Sequence, residues 1–264
     1  MRRYSVAFPF AIRKETSGIF HMKKAAKFLV KIVDHMVNFI ALLLILMVMF
    51  LSCYMLWDSN QVYQAADAKN YEAYIPTEKH TKSFEELQKI NPDIIGWIRI
   101  NETNVNYPLL QAEDDDTYMN TDAEGKYSLS GSIFLHCANK PDFSDFNNMI
   151  YGHHMDHGGM FGDVVEYTDI SYFEKHMEGW LYLADATYQI QMFACVETDA
   201  YDSMIYGCGA DTDLNKLLSY IEEHAVVYKN MTTDRPAQVI GLSTCADART
   251  NGRVIVFGRL EKIS

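Results

Sequence analysis

Positive charge is scarce in this 264-residue chain, which carries 23 Lys and Arg against 35 Asp and Glu. What there is collects at one end. Residues 1–58 hold eight basic residues against three acidic ones, and the remainder holds fifteen against thirty-two. The larger part therefore lacks the basic face that phosphates demand, which excludes nucleic acid as a partner. Its acidic excess instead suits an exposed, soluble domain. Cysteine is sparse as well. Cys53, Cys137, Cys195, Cys208 and Cys245 follow no repeating spacing, so the chain is not a disulfide scaffold, although pairing among Cys137, Cys195 and Cys208 is allowed outside the cell. Neither HExxH nor CxxC occurs. His153, His154 and His157, with His136 and Cys137 nearby, superficially offer zinc ligands, but adjacent histidines on an extended chain point to opposite faces. No metal and no cofactor is expected. Internal repeats and low-complexity tracts are absent.

One stretch lacks charge altogether. From Val37 to Trp57 no charged residue occurs, and at 1.5 Å per residue a helix of roughly 21 residues crosses the roughly 30 Å hydrocarbon core. Arg2, Arg3, Arg13, Lys14, Lys23, Lys24, Lys27 and Lys31 all precede it. Positive charge stays in the cytoplasm, so the expected order is a cytoplasmic basic segment (1–36), a transmembrane helix (37–57), a stalk (58–80) and an extracellular domain (81–264). A cleaved signal peptide fits less well. The apolar run is longer than an ordinary signal core, and the bulky Cys53-Tyr54-Met55-Leu56-Trp57 offers no small-x-small cleavage site.

The domain that follows is mostly β. Ser83-Phe84-Glu85-Glu86 has the form of a capping box opening a short helix that Asn91-Pro92 ends. Strands are expected at 94–100, 105–110, 132–135, 148–151, 179–183, 188–194, 238–244 and 253–260. An acidic loop is expected over 113–126, and a helix over 211–228 from the spacing of Leu214, Leu217, Leu218 and Ile221. Short strands separated by turn signals argue for a closed or nearly closed barrel of about eight strands with peripheral helices. Asp114-Asp115-Asp116 reads as a solvated loop rather than a calcium site.

Chemistry points to Cys245. A cysteine ending a core strand can be no more than a small buried hydrophobe. Here, however, polar Ser243-Thr244 precede it, a loop follows, and Arg253 returns eight residues later at the start of the next strand. A fixed guanidinium beside a thiol favours the thiolate, the form that attacks carbonyl carbon. Arg249 is a rival placed mid-loop. An acid is still needed, and Tyr151-Gly152-His153 sets a histidine at a strand end, where the glycine frees the backbone to turn. His154 and His157 read as exposed or packing residues.

Tyr151-Gly152-His153, Leu242-Ser243-Thr244-Cys245 and Arg253 leading an apolar strand, in that order, resemble the signature of the sortases, membrane-anchored cysteine transpeptidases of Gram-positive bacteria. The Cys-to-Arg spacing, the helix before the cysteine strand, the helical segment before Trp97 and Gly131-Ser132-Ile133-Phe134-Leu135 look most like class B. Ala246 departs from class B members that carry a polar or acidic residue there. The resemblance covers roughly residues 75–264. It implies a sortase-like barrel, Cys245 as nucleophile, His153 as general acid and base, and Arg253 as stabiliser of the oxyanion or of bound peptide. Ser243 and Thr244 would contact substrate. The implied partners are surface proteins with a C-terminal sorting signal and an amine of a lipid II-type peptidoglycan precursor. Two alternatives keep the chemistry: a pilin-polymerising sortase and a cysteine peptidase that releases to water. A third, a membrane-tethered binding domain on the same barrel, has none.

Overall fold

The computed structural model describes residues 12–75, 82–207, 213–230, 236–246 and 251–263, with side chains from 20 and from 85 onward in the first two stretches. Arg2, Arg3, Cys208, Asp211 and Arg249 lie outside these residues, as do the side chains of Arg13, Lys14 and Ser83. Two units are distinguished, Met1–Ser59 and Asn60–Ser264. Helix α1 (Ile12–Ala65) takes in all the described residues of the first and the opening residues of the second. Phe39, Leu43, Ile45 and Phe50 stand exposed along it, and it is long and apolar enough to cross a membrane.

The second unit is a barrel. Its elements in chain order are α2 (Lys82–Ile90), β1 (Ile94–Ile100), β2 (Asn106–Leu110), β3 (Ile133–Leu135), β4 (Asn147–Tyr151), α3 (Ile170–Phe173), β5 (Glu178–Leu183), β6 (Thr187–Asp199), α4 (Leu214–His224), β7 (Ala225–Tyr228), β8 (Val239–Cys245) and β9 (Gly252–Lys262). The strands pair in the order β5-β1-β2-β3-β4-β8-β9-β6, and β6 pairs back onto β5, closing a ring of eight with β7 appended to β6. Closure leaves little unpaired edge.

Period-two alternation fills the interior. Ile98 and Ile100 of β1, Tyr107 and Leu109 of β2, Ile240 and Leu242 of β8, and Val254 and Val256 of β9 share one buried cluster. Their neighbours point outward. Met149, Val239, Ile255 and Phe257 pack with Leu217, Leu218 and Ile221 of α4, and Ile94, Trp97 and Leu110 pack with Leu87 of α2. A bulge between Met192 and Ala194 switches the inward side of β6 from Tyr188, Ile190 and Met192 to Cys195. The strand therefore outruns its expected end and serves β5 with one half and β7 with the other.

All eight expected strands form, but the helix expected over 211–228 stops at His224. Asp213 caps it, accepting from the Asn215 and Lys216 amides. Ala225-Val226-Val227-Tyr228 then continues as a ninth strand with no intervening turn. Its β-branched and aromatic residues suit a strand beside β6 better than a fourth helical turn.

Candidate active site

Two strand pairings bring the sequence candidates together. β8 runs antiparallel to β9 with Cys245 directly opposite Arg253. β8 also runs parallel to β4, with Tyr151 beside Ser243. Continuing both chains by two residues carries His153 and Cys245 off the same end of neighbouring strands. Alternation puts Ser243 and Cys245 on the outward side of β8, and Arg253 on that of β9 with Ile255 and Phe257. His153, Cys245 and Arg253 all line one cavity of about 290 Å³.

The backbone around the site is tied. The Gly152 amide donates to the Ser243 carbonyl at 3.2 Å, and the Thr244 hydroxyl donates to the Gly152 carbonyl at 2.8 Å. Those two bonds lock the end of β4 against β8. Gly152 does not adopt a positive φ, so packing rather than a turn calls for glycine there: a Cβ would lie 2.5 Å from Ile133 Cδ1 and 2.7 Å from Phe161 Cγ. His153 Nε2 lies 2.7 Å from the Met119 carbonyl. A carbonyl can only accept, so Nε2 carries the hydrogen and the neutral ring has Nδ1 free. Ala246 donates to the Gly252 carbonyl at 3.0 Å, closing the base of the β8–β9 loop. Arg253 Nη1 donates to the same carbonyl at 3.1 Å, and among the described residues no carboxylate forms a salt bridge with it.

Ser243 and Thr244 border the cavity, yet both side chains are almost wholly buried. The Thr244 hydroxyl is committed to Gly152, and that of Ser243 to the Tyr206 phenol at 2.9 Å. His154 is exposed and bridges to Met160. His157 is exposed, with its ring 5.8 Å from that of Tyr63. Neither lines the cavity. Cys195 is a core residue whose burial, with Glu197 adding to it, pushes its thiol up to about 12. Cys53, Cys137, Cys195 and Cys245 are free thiols.

Several neighbours of the site escaped sequence reasoning. Tyr206, beyond β6, stacks on Tyr151 at 6.2 Å. Burial pushes its phenol up to about 12, against the Ser243 hydrogen bond and the Arg253 charge, so it stays protonated. Asp202 holds that loop: it accepts from the Thr198 and Tyr220 hydroxyls at 2.6 and 3.0 Å and from the Met204 and Ile205 amides. Met119 acts through its carbonyl, which no side-chain motif reveals. Asp115 lines the cavity and meets His136 and Cys137 behind it. Its two oxygens lie 2.5 Å from His136 Nδ1 and 2.7 Å from the Cys137 amide nitrogen.

A barrel with a cysteine, a histidine and an arginine at one cavity can be set beside known proteins. Residues 98–261 match the family model of the sortase domain. The chain belongs to the sortase family. Sortase B of Staphylococcus aureus is 31% identical over 208 residues, which are 78% of this chain and 83% of that protein. Sortase B of Listeria monocytogenes is 31% identical over 178 residues, 66% of this chain and 72% of its own. Among solved structures, a Streptococcus pyogenes class B sortase involved in pilus biogenesis is 37% identical with a TM-score of 0.62, covering 67% of this chain and 97% of its own. The S. aureus sortase B–substrate complex is 31% identical with a TM-score of 0.64, covering 78% and 94%. The sortase in hand is therefore most like class B.

Proposed function

We propose that this sortase is a membrane-anchored cysteine transpeptidase. It would cleave a C-terminal sorting signal through an acyl-thioester on Cys245 and pass the protein to an amine of a lipid II-type peptidoglycan precursor. The observation that carries the proposal is the meeting of Cys245, Arg253 and His153 in the wall of one cavity. Cys245 Sγ attacks the scissile carbonyl and forms the C–S bond. As the tetrahedral intermediate collapses, the C–N bond breaks and His153, protonated at Nδ1, gives that proton to the departing amine. The acceptor amine then adds to the thioester carbonyl, His153 takes its surplus proton, and the C–S bond breaks to return Cys245. Arg253 supplies permanently charged donors to the oxyanion or holds the peptide, a task for which lysine lacks the planar fork. Ser243 and Thr244 shape the floor beneath the substrate.

The proposed arrangement in the cell places residues 1–36 in the cytoplasm, 37–57 across the membrane, 58–80 as a stalk and 81–264 outside. The apolar helix and the basic residues before it support that order. One second reading has an observation of its own: the S. pyogenes relative involved in pilus biogenesis favours a pilin lysine as acceptor.

The test uses the full chain in detergent with a fluorogenic sorting peptide and three acceptor conditions: a stem-peptide amine, a pilin subunit and water alone. Intact mass should show an acyl-enzyme in the wild type and none in Cys245→Ala, with turnover rising when an amine is present. The preferred amine separates wall anchoring from pilus assembly. Equal turnover in water would mark a peptidase, and peptide binding without any cysteine-dependent cleavage would mark a binding domain. Cleavage by Cys245→Ala would overturn the assignment.

A further inference from the structure

We infer that Asp115, His136 and Cys137 form a binding site for a zinc-class divalent cation at the edge of the Cys245 cavity. The three residues come from two loops. Asp115 lies between β2 and β3, while His136 and Cys137 follow β3 directly. Their potential ligand atoms, a carboxylate oxygen, an imidazole nitrogen and a thiol sulfur, lie within 4.8 Å of one another. Zinc bonded at about 2.0–2.3 Å to N, O and S ligands in a tetrahedron separates those ligands by roughly 3.3–3.8 Å. The cluster is thus within small side-chain movements of a coordination shell. Asp115 Oδ2 and His136 Nδ1, 2.5 Å apart, would have to part, a cation taking the place of the shared hydrogen.

The donors select the ion. Calcium and magnesium take six or more oxygen ligands, and this cluster offers one carboxylate. A mixed S, N, O set suits zinc and its relatives, with three protein ligands and an exchangeable fourth position. The supports are already built. The His136 amide donates to the Met149 carbonyl at 2.8 Å. The His136 carbonyl accepts from Asn139 N at 2.9 Å and from Gln111 Nε2 at 3.0 Å. Its ring stands edge-on to Tyr151 at 5.7 Å. Asp115 Oδ1 takes the Cys137 amide at 2.7 Å, aligning the carboxylate with the residue that carries the sulfur. Such outer contacts orient metal ligands before the ion arrives. All three residues are half-buried, so an ion can enter from solvent.

The site also has a route to the chemistry. The loop that carries Asp115 carries Met119, whose carbonyl holds His153 Nε2 at 2.7 Å, and both residues line the cavity. A cation joining Asp115 to the end of β3 would fix that loop and with it the orientation of His153. Binding does not depend on the acyl-transfer reading, and it is measured without turnover.

The experiment titrates the full chain in detergent, purified in chelator with its thiols reduced, with Co²⁺ alone. Thiolate-to-cobalt charge transfer in the near ultraviolet and tetrahedral d–d bands in the visible report coordination. One equivalent should bind in the wild type and equally in Cys245→Ala. The signal should vanish in Cys137→Ser and His136→Ala, and affinity should fall at least tenfold in Asp115→Asn. Unfolding midpoints in chelator check that the variants fold, and His136→Ala stands in if Cys137→Ser does not. Absence of a thiolate–cobalt band in the wild type, its persistence in Cys137→Ser or His136→Ala, or its loss in Cys245→Ala would each overturn the inference.

Discussion

Gly152→Ala should damage this sortase in two measurable and unequal ways. The added methyl would lie 2.5 Å from Ile133 Cδ1 and 2.7 and 2.8 Å from Cγ and Cδ2 of Phe161. Carbon atoms rest comfortably at about 3.5–4.0 Å, so each contact is short by roughly 1 Å. Ile133 can rotate its terminal methyl away. The Phe161 ring is fully buried and cannot. Overpacking of this kind costs about 1–3 kcal/mol, and for a domain of this size each kcal/mol moves Tm by about 2–4 °C. The expected drop is therefore about 2–12 °C in a thermal scan of the full chain in detergent. Activity should suffer more. Gly152 is bonded to Ser243 through its amide and to Thr244 through its carbonyl, so relief of the clash shifts the end of β4 against β8, and His153 against Cys245. A misplacement of about 1 Å can cost about 100-fold, so kcat/KM for peptide cleavage should fall by about 10–100-fold. Adding Ile133→Val removes one of the clashing atoms and should restore part of the lost Tm. A Gly152→Ala protein with unchanged Tm and turnover would refute the close-packing account of this glycine.

Arg253→Lys should leave Tm nearly unchanged and remove most turnover, because one ammonium cannot reproduce the planar donors of the guanidinium; paired scanning fluorimetry and peptide cleavage check it. Thr244→Val strips the hydroxyl from the half-buried Gly152 carbonyl and should destabilise by about 1 kcal/mol in urea unfolding. Asp202→Asn tests the loop that carries Tyr206. Burial alone would raise the Asp202 carboxyl, but hydrogen bonds from Thr198, Ile205, Tyr220 and Met204 outweigh it and hold the group below its ordinary value. A depressed folded value means stability that is present above the usual carboxylate range and lost as pH falls through the folded value. Unfolding midpoints between pH 6 and pH 2.5 (about the carboxylate range) should therefore converge for wild type and Asp202→Asn at the acid end.

Much of the barrel was legible because its strands are short, alternating and bounded by turns. Ile98-Arg99-Ile100 declares its faces without help, with both isoleucines buried and the arginine exposed. β7 was not legible, since His224 passes into Ala225 with no glycine or proline to mark the change. Only the free edge of β6 makes those four residues a strand. The bulge at Phe193 was hidden for the same reason: a phase shift in an apolar run leaves no compositional trace.

Within the site, residue order and type, with the family resemblance they carry, picked out Cys245, Arg253 and His153 as candidates. Folding decided everything that depends on distance across the barrel. Parallel pairing of β4 with β8 is what sets His153 beside Cys245. The Met119 carbonyl, a backbone group without a sequence signature, fixes which imidazole nitrogen is free. Asp115 lies 21 residues from His136, and no local spacing rule joins them. A sequence records which groups are present and which face of a local element they occupy. Which groups from different elements come within bonding distance is set by the closure of the sheet, which is a property of all eight strands at once.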